Sequence, residues 1–249
     1  LNAVVDIYAD EALAIAQTHS RQGSLAGLPL LVKDMARVKG HVTTAGSLLY
    51  KDAAPDADDD IAVARLRAEG AIIIGRTNSP EFGGTAFTSN KLFGATRNPW
   101  NPAQSPGGSS GGSSAALAAG LAPLATTSDG GGSVRGPAAA TGLVGLKPTM
   151  GAVGRNFLPR WIEFSTQGPA ASTVKDVEML AGIMYGDAVG DFLAVPKAGI
   201  NLAPRMPRTV LACRTFRTDV DPDIEAQYEN MLESLSKSGV TVKRIDSPS

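Results

Sequence analysis

Apolar side chains recur at the helical period in several parts of the chain. Near the end of the sequence, five of them share this spacing: Ile224, Tyr228, Met231, Leu232 and Leu235. They predict one apolar helix face, because positions three and four apart lie on the same side. We expect further helices over residues 174–184, 10–17 and 59–69. Acidic residues open the 59–69 segment and Gly70 follows it, which is typical of helix ends.

Short apolar runs between these helices predict strands. They are "NAVVDI" at residues 2–7, "LPLLVKD" at 28–34, "AIIIGRT" at 71–77 and "VTVKRI" at 240–245. Unbroken apolar runs of this length favour strands buried on both faces. Strands that alternate with helices predict an α/β fold with a partly parallel sheet.

The composition is that of an ordinary globular protein and limits the expected partners. The 249 residues suit one large domain or two small ones. The net charge of −1 makes neither nucleic acid nor an anionic membrane an expected partner. No apolar run reaches the roughly 18–20 residues of a membrane span. The single cysteine, Cys213, excludes an intrachain disulfide and favours an intracellular, cytoplasmic protein.

Two segments rich in serine and glycine could be linkers, phosphate-binding loops or parts of a catalytic site. They are "PGGSSGGSSAALAAG" at residues 106–120 and "SDGGGSVRGPAAATG" at 128–142. A flexible linker is disfavoured, because helix-forming apolar residues follow the first segment without a break in composition. The first segment also lacks the lysine of a Walker loop and the G-x-G-x-x-G spacing of a dinucleotide site. Neither segment has the G-x-S-x-G spacing of a nucleophile elbow.

A serine that follows three glycines suggests acyl transfer. Ser133 follows Gly130, Gly131 and Gly132, and glycine lets a backbone approach a substrate closely. The N–H groups of these glycines would stabilise an oxyanion beside a serine nucleophile.

The base that would activate this serine is not evident from the sequence alone. His19 and His41, the two histidines, lie in polar surroundings typical of surface residues, so a Ser-His-Asp triad is poorly supported. Without clustered His or Cys ligands, no metal site is expected. Lys33 ends an apolar run, where desolvation would lower its pKa, although taken alone the position is more typical of a surface lysine. Its neighbour Asp34 would point to the opposite face of a strand and need not pair with it.

Taken together, these segments resemble the amidase signature enzymes. The resemblance extends over nearly the whole chain and is carried by five stretches: "LAGLPLLVKD", "DDDIAVARLRAEGAIIIGRTNSPEFG", "FGATRNPWNP", "SPGGSSGGSSAALAAGLAPLATTSDGGGSVRGPAAATGLVGLKPT" and "TQGPAAST". It implies a mixed β-sheet core covered by helices on both faces.

The resemblance also implies a Ser-cisSer-Lys triad that works through an acyl-enzyme. Lys33 matches the base, Ser109 the bridging serine after a cis peptide bond, and Ser133 the nucleophile. The oxyanion hole is expected to use four backbone N–H groups: those of Gly130, Gly131, Gly132 and Ser133. Supporting roles are implied for Ser110, Asp129 and Arg135. No cofactor and no metal is expected.

The extent of the match predicts a single amidase signature domain over residues 1–249. Family members are usually much longer. We therefore expect the C-terminal portion and the N-terminal helices of the family to lie outside this sequence. One departure precedes the nucleophile, where Thr127-Ser128-Asp129 stands in place of the frequent GTD or GSD. The loop geometry there is expected to differ slightly.

The predicted function is hydrolysis of a small-molecule carboxylic amide. The main alternative is the glutamine-hydrolysing A subunit of a tRNA-dependent amidotransferase. Those subunits resemble "SLDQIGP" where this chain has "STQGP" at residues 165–169, and the missing Asp-Gln pair argues against that role. A binding protein without catalysis is disfavoured, because Lys33, Ser109 and Ser133 are all present. The sequence leaves the substrate open and also leaves open whether the protein forms a homodimer.

Overall fold

The computed structural model describes residues 1–20, 22–156, 164–199, 206–213 and 220–245. The chain divides into two compact units, Leu1–Asn201 and Leu202–Ser249. The interpretation of residues 1–249 as a single domain stays a prediction.

The first unit is built around a mixed sheet. Its strands are β1 (Val4–Ile7), β2 (Pro29–Lys33), β3 (Ile72–Thr77), β4 (Ser89–Asn90), β5 (Gly94–Ala95), β6 (Leu124–Asp129), β7 (Val144–Gly145) and β8 (Thr166–Ala171). Six of them form one sheet in the order β1-β3-β2-β6-β8-β7, and β4 pairs with β5. Strand β2 runs parallel to β3 and β6, whereas β8 is antiparallel to β6. The α/β fold with a partly parallel sheet is therefore confirmed.

Helices cover both faces of this sheet. They are α1 (Ala9–Thr18), α2 (Ile61–Ala68), α3 (Gly111–Ala118), α4 (Arg135–Thr141) and α5 (Val174–Met184), with short 3₁₀ turns at Leu48–Tyr50, Glu81–Gly83 and Lys197–Gly199. Helices α1, α2 and α5 confirm the three segments predicted in this unit.

Strand β2 is buried on both faces, as its apolar run predicts. Leu30 and Val32 belong to the core that contains α2 and α5, whereas Leu31 belongs to the core that contains α3. Alternate residues of a strand point to opposite faces. Lys33, two positions after Leu31, therefore lies on the α3 side of the sheet.

Helix α3 explains the glycines of the first serine-rich segment. A Cβ atom on Gly112 would lie 2.4 Å from both the backbone N and O of Asn78, and one on Gly111 would lie 2.3 Å from Thr88 Oγ1. Only glycine permits such a close approach. The segment is thus a buried helix start packed against β3 and not a linker.

The acidic run before α2 has a different role from the one predicted. Helix α2 begins at Ile61, and its first turn holds no acidic residue. Asp59 accepts a hydrogen bond from the Lys39 N–H at 2.8 Å and pairs with Arg67 Nε at 2.8 Å. The Asp60 carboxylate accepts one from the Arg37 N–H at 3.0 Å. The run therefore ties the loop after β2 to the start of the helix, where Asp60 is the N-cap residue.

The second unit is a strand-helix-strand motif. Strand β9 (Thr209–Cys213) and strand β10 (Thr241–Ile245) are parallel, and α6 (Pro222–Lys237) connects them. Asp221 caps α6 by accepting a hydrogen bond from the Asp223 N–H at 2.9 Å. This confirms the helix and strand predicted near the end of the sequence. Within the described part of both units, we find no helix long and apolar enough to cross a membrane.

Candidate active site

The centre of the site is the ammonium group of Lys33, which is surrounded by hydroxyl groups. Lys33 is 1% exposed. Its Nζ lies 2.8 Å from Ser109 Oγ, 2.9 Å from Ser110 Oγ and 3.0 Å from Ser128 Oγ. Its backbone N–H donates to Thr126 Oγ1 at 2.8 Å, which fixes the end of β2 beside β6. The structure therefore brings Lys33 and the first serine-rich segment together, as the sequence predicts.

Burial makes Lys33 a base near neutral pH. Desolvation lowers the pKa of Lys33 to about 7, although the negative charge of Asp129 acts in the opposite direction. The surrounding hydroxyls offer hydrogen bonds but no full negative charge, so they compensate the ammonium only in part. The neutral amine is therefore substantially populated at neutral pH.

The Ser110 hydroxyl also binds the backbone of Ser128. Ser110 Oγ donates to the Ser128 carbonyl oxygen at 3.2 Å and accepts from the Ser128 N–H at 3.3 Å. These two bonds hold the first serine-rich segment against the end of β6. Ser110 thus lies between Lys33 and the end of β6, and its supporting role stays a prediction.

Ser109 and Ser133 border one cavity of about 420 Å³. The Gly108–Ser109 peptide bond is cis, as the resemblance implies. Ser133 is half-buried, and its carbonyl oxygen accepts from the Ser110 N–H at 3.3 Å. Among the described residues, no hydrogen bond joins the Ser133 hydroxyl to Ser109. The two hydroxyls share the cavity, but the second link of the expected relay is not formed in this structure.

An ion pair between Asp129 and Arg135 holds the loop that carries Ser133. Arg135 Nε and Nη2 donate to the Asp129 carboxylate at 2.9 and 3.0 Å, and the Val134 N–H donates at 3.1 Å. Burial alone would raise the pKa of Asp129, but these bonds and that from Gly132 outweigh it and hold the pKa at about 2. Asp129 is therefore ionised throughout the neutral range, in line with its expected supporting role.

The three glycines before Ser133 do not have equal positions. Gly130 and Gly131 border the cavity. The Gly132 N–H instead donates to Asp129 Oδ1 at 2.7 Å. This differs from the expectation for Gly132, because a donor committed to a carboxylate is not available to an oxyanion. Its φ of +113° is a backbone conformation that favours glycine.

Asp34 and the histidines lie away from this centre. The Asp34 carboxylate accepts from the Thr44 and Gly46 N–H groups, each at 3.0 Å, on the opposite side from Lys33. The expectation that Lys33 and Asp34 need not pair is met. His41 stacks on Tyr8 with ring centroids 3.6 Å apart. Of the described residues that border the Ser133 cavity, none is a histidine.

The sequence reasoning missed Ser128 as a neighbour of Lys33. It treated Thr127-Ser128-Asp129 only as a departure from a motif. The Thr127 hydroxyl donates to the Gly168 carbonyl oxygen on β8, so it fits into the sheet and leaves Ser128 facing Lys33. The sequence does contain one indication of this contact, since Ser128 places a hydroxyl group five residues before Ser133.

Comparisons with known proteins identify the family of this chain. The Amidase family model matches residues 1–249. The A subunit of the glutamyl-tRNA(Gln) amidotransferase of Koribacter versatilis is 37% identical over 265 residues, covering 100% of this chain and 54% of that protein. The acylamidase of Rhodococcus erythropolis is 36% identical, covering 97% of this chain and 54% of that protein. The crystal structure of a bacterial aryl acylamidase of the amidase signature family matches with a TM-score of 0.88 at 31% identity, covering 99% of this chain and 54% of that one.

The chain belongs to the amidase signature family. It spans about half the length of the curated relatives that it matches.

Proposed function

We propose that this chain carries the catalytic centre of an amide hydrolase that forms an acyl-serine intermediate. The observation that carries the proposal is the buried Lys33, bonded to Ser109 at 2.8 Å beside a cavity that also holds Ser133. Membership of the family supports the reaction class. The substrate is a carboxylic amide whose acyl and amine parts stay open.

The proposed reaction moves protons through Ser109. Neutral Lys33 takes a proton from the Ser109 hydroxyl, which takes one from Ser133. This step requires the Ser133 hydroxyl to contact Ser109 within the cavity that both residues border. Ser133 Oγ then attacks the carbonyl carbon, forming a C–O bond and a tetrahedral oxyanion.

The oxyanion is stabilised by backbone N–H groups of the glycine loop. We assign this role to Gly130, Gly131 and Ser133, since the Gly132 N–H is bonded to Asp129. The proton returns through Ser109 to the amine nitrogen as the C–N bond breaks. A water molecule then attacks the ester, releases the acid and restores the Ser133 hydroxyl.

A serine-reactive fluorophosphonate probe tests the nucleophile directly. We expect the full-length protein to be labelled at Ser133, with the modified residue located by mass spectrometry. Ser133→Ala should abolish labelling and amide hydrolysis while the thermal unfolding midpoint stays unchanged. Ser236→Ala, an exposed serine on α6, is the matched control and should be labelled normally. Labelling that persists in Ser133→Ala would remove Ser133 from the mechanism.

A glutaminase function is the second candidate. The observation that favours it is the 37% identity to the amidotransferase protein over the whole chain. The measurement is ammonia release from glutamine, compared with hydrolysis of a panel of aliphatic, aromatic and peptide amides. Hydrolysis of the panel without glutaminase activity supports the amide hydrolase, and glutamine as the preferred substrate supports the alternative.

A further inference from the structure

Gln167 lies next to the hydroxyl groups around Lys33, although it is far away in sequence. It is directly opposite Ser128 in the antiparallel pair of β6 and β8. Residues directly opposite each other in such a pair carry their side chains on the same face. Gln167, Ser128 and Lys33 all border a second, small cavity of about 30 Å³.

The orientation of the Gln167 amide is fixed by Asp60. Gln167 Nε2 lies 3.2 Å from Asp60 Oδ2. The other donor to this carboxylate oxygen is the Arg37 N–H at 3.0 Å. Because an ionised carboxylate only accepts hydrogen bonds, the NH₂ side of the amide must face Asp60. Gln167 Oε1 must therefore point away from Asp60.

Gln167 Oε1 is a buried acceptor that lacks a donor. Among the described residues, no group donates a hydrogen bond to it. A buried acceptor without a partner is unfavourable, and ordered water commonly satisfies such atoms. The small cavity, with about 30 Å³ of accessible space, is large enough to hold a water molecule. Ser128 Oγ, which accepts from Lys33, still has a proton to donate.

We propose that one ordered water in this cavity accepts a hydrogen bond from Ser128 and donates one to Gln167 Oε1, and that Gln167 is thereby a positioning residue for Lys33. Gln167 does not touch the reacting atoms. It acts through the water and Ser128, and its importance rests on the proposed role of Lys33 as the base.

This arrangement directs the lone pair of neutral Lys33. The Ser110 hydroxyl donates its hydrogen bond to the Ser128 carbonyl oxygen, and the Ser128 hydroxyl donates its hydrogen bond to the water. Both hydroxyls can then only accept from Lys33. A neutral amine has two N–H donors and one lone pair, so the lone pair is left for Ser109. Without Gln167, the Ser128 hydroxyl is free to turn and donate to Lys33, in competition with Ser109.

The experiment below replaces none of the charged residues near Gln167 and Lys33. Asp60 is faced by Arg37 and Asp56, and Lys33 is faced by Asp129. The substitutions below replace only neutral side chains. Gln167→Leu also removes a hydrogen bond that lowers the pKa of Asp60, so the variants are compared at high pH, where Asp60 stays ionised.

A double-mutant cycle separates positioning from a structural role. With Ser128 present, Gln167→Leu should lower the rate of Ser133 labelling about three- to tenfold at the high-pH plateau, the size expected for one neutral hydrogen bond. In a Ser128→Ala background the same change should have no further effect, because the competing hydroxyl is gone. Equal losses in both backgrounds would overturn the proposal. Gln104→Leu, at an exposed position, is the matched control and should label at the wild-type rate.

A crystal structure of the full-length protein tests the water without relying on activity. We expect density within hydrogen-bond distance of both Ser128 Oγ and Gln167 Oε1, and its loss in Gln167→Leu, or in Gln167→Met if the leucine variant does not fold. If the wild type is labelled normally at Ser133 but lacks this water, the inference about Gln167 is wrong and the proposed function still stands. A wild type with the water but no labelling of Ser133 overturns the proposed function, and with it the positioning role.

Discussion

Lys33 and Arg76 are two fully buried cations on neighbouring strands, and they have opposite surroundings. Among the described residues, the groups within hydrogen-bond distance of Lys33 Nζ are three hydroxyls. Arg76 Nη1 lies 3.8 Å from Asp34, and Nη2 lies 3.6 Å from Asp56. A nearby carboxylate keeps a buried cation charged, whereas hydroxyls alone do not offset the loss of water. The pKa of Lys33 is therefore lowered, whereas Arg76 holds the loop after β2 in place.

The neighbours Lys33 and Asp34 show how the backbone separates these two environments. Lys33 ends β2 on the α3 side, and Asp34 turns to the loop that contains Thr44 and Gly46. Burial raises the pKa of Asp34, while bonds from Thr44 and Gly46 and the charge of Arg76 oppose that rise. Had the Asp34 carboxylate faced Lys33, the ammonium would have been stabilised and the base lost.

The largest expected effect is the loss of activity in Lys33→Met. Methionine has a similar length and no basic group, so the proton relay from Ser109 has no acceptor. We expect labelling and hydrolysis to fall about 10²–10⁴-fold, the range typical of a lost general base. The free energy of unfolding should change by less than about 2 kcal/mol, because an apolar side chain replaces a desolvated amine. A Lys33→Met protein that hydrolyses amides at near the wild-type rate would remove Lys33 from the relay.

Arg76→Met should have the reverse effect: we expect it to lower the free energy of unfolding more than the rate of hydrolysis. The substitution leaves Asp34 and Asp56 without their shared cation and also removes the Arg76 hydrogen bond to the Ala36 carbonyl oxygen at 2.8 Å. Breaking a buried ion pair by removing one partner costs about 3–5 kcal/mol. Urea unfolding measures this loss. If Arg76→Met and Lys33→Met are equally stable, the comparison between the two cations is wrong.

Asp129→Asn should have a smaller effect, and it changes the environment of Lys33. Asparagine has nearly the same shape as aspartate but cannot form the ion pair with Arg135. We expect labelling at Ser133 to slow by about tenfold as the loop loosens, from the loss of a charge-assisted hydrogen bond. Because the Asp129 charge raises the pKa of Lys33, its removal should also move the midpoint of the pH–rate profile downward. Asp223→Asn, at an exposed position on α6, is the matched control. An upward shift of the midpoint in Asp129→Asn would contradict this electrostatic account.

The last expected effect is gradual, because it is spread over several pH units: a pH dependence of stability that requires Lys33. Its pKa is about 7 in the folded protein, compared with 10.5 for an unperturbed lysine. Between these values the unfolded chain binds a proton that the folded protein does not, so the wild type should gain stability as the pH rises from 7. Lys33→Met should lack this gain, which amounts to at most about 1.4 kcal/mol per pH unit. Parallel pH profiles for the two proteins would show that the lysine is not perturbed.

Much of the fold follows from local pattern. The runs that became β2 and β3 are apolar enough to require burial, and α6 has an uninterrupted apolar face. The roles of Lys33, Ser109 and Ser133 are implied by the resemblance to the amidase signature enzymes and not by periodicity, from which Lys33 is more typical of a surface position. Ser109 and Ser133 border one cavity, and the catalytic roles themselves stay predictions.

Other features depended on strand register, which the sequence does not contain. Ser128 and Gln167 become neighbours only because β6 and β8 pair in one register. Helix α2 begins directly after Asp59 and Asp60, as predicted, but their carboxylates also accept from backbone N–H groups of a loop far away in sequence. The Gly132 N–H was predicted to face the substrate, but it donates to Asp129, three residues earlier in the chain. These hydrogen-bond partners are set by the fold and cannot be read from the local pattern.

The most direct test of the central claim is the titration of Lys33 itself. Lysine labelled with ¹³C at the carbon next to the amine reports the protonation state by NMR, and Lys33→Met identifies the signal. We expect the Lys33 signal to titrate with a midpoint of about 7 in the folded protein. A midpoint near the ordinary lysine value of about 10.4 would mean that the ammonium persists at neutral pH, and Lys33 could not be the base.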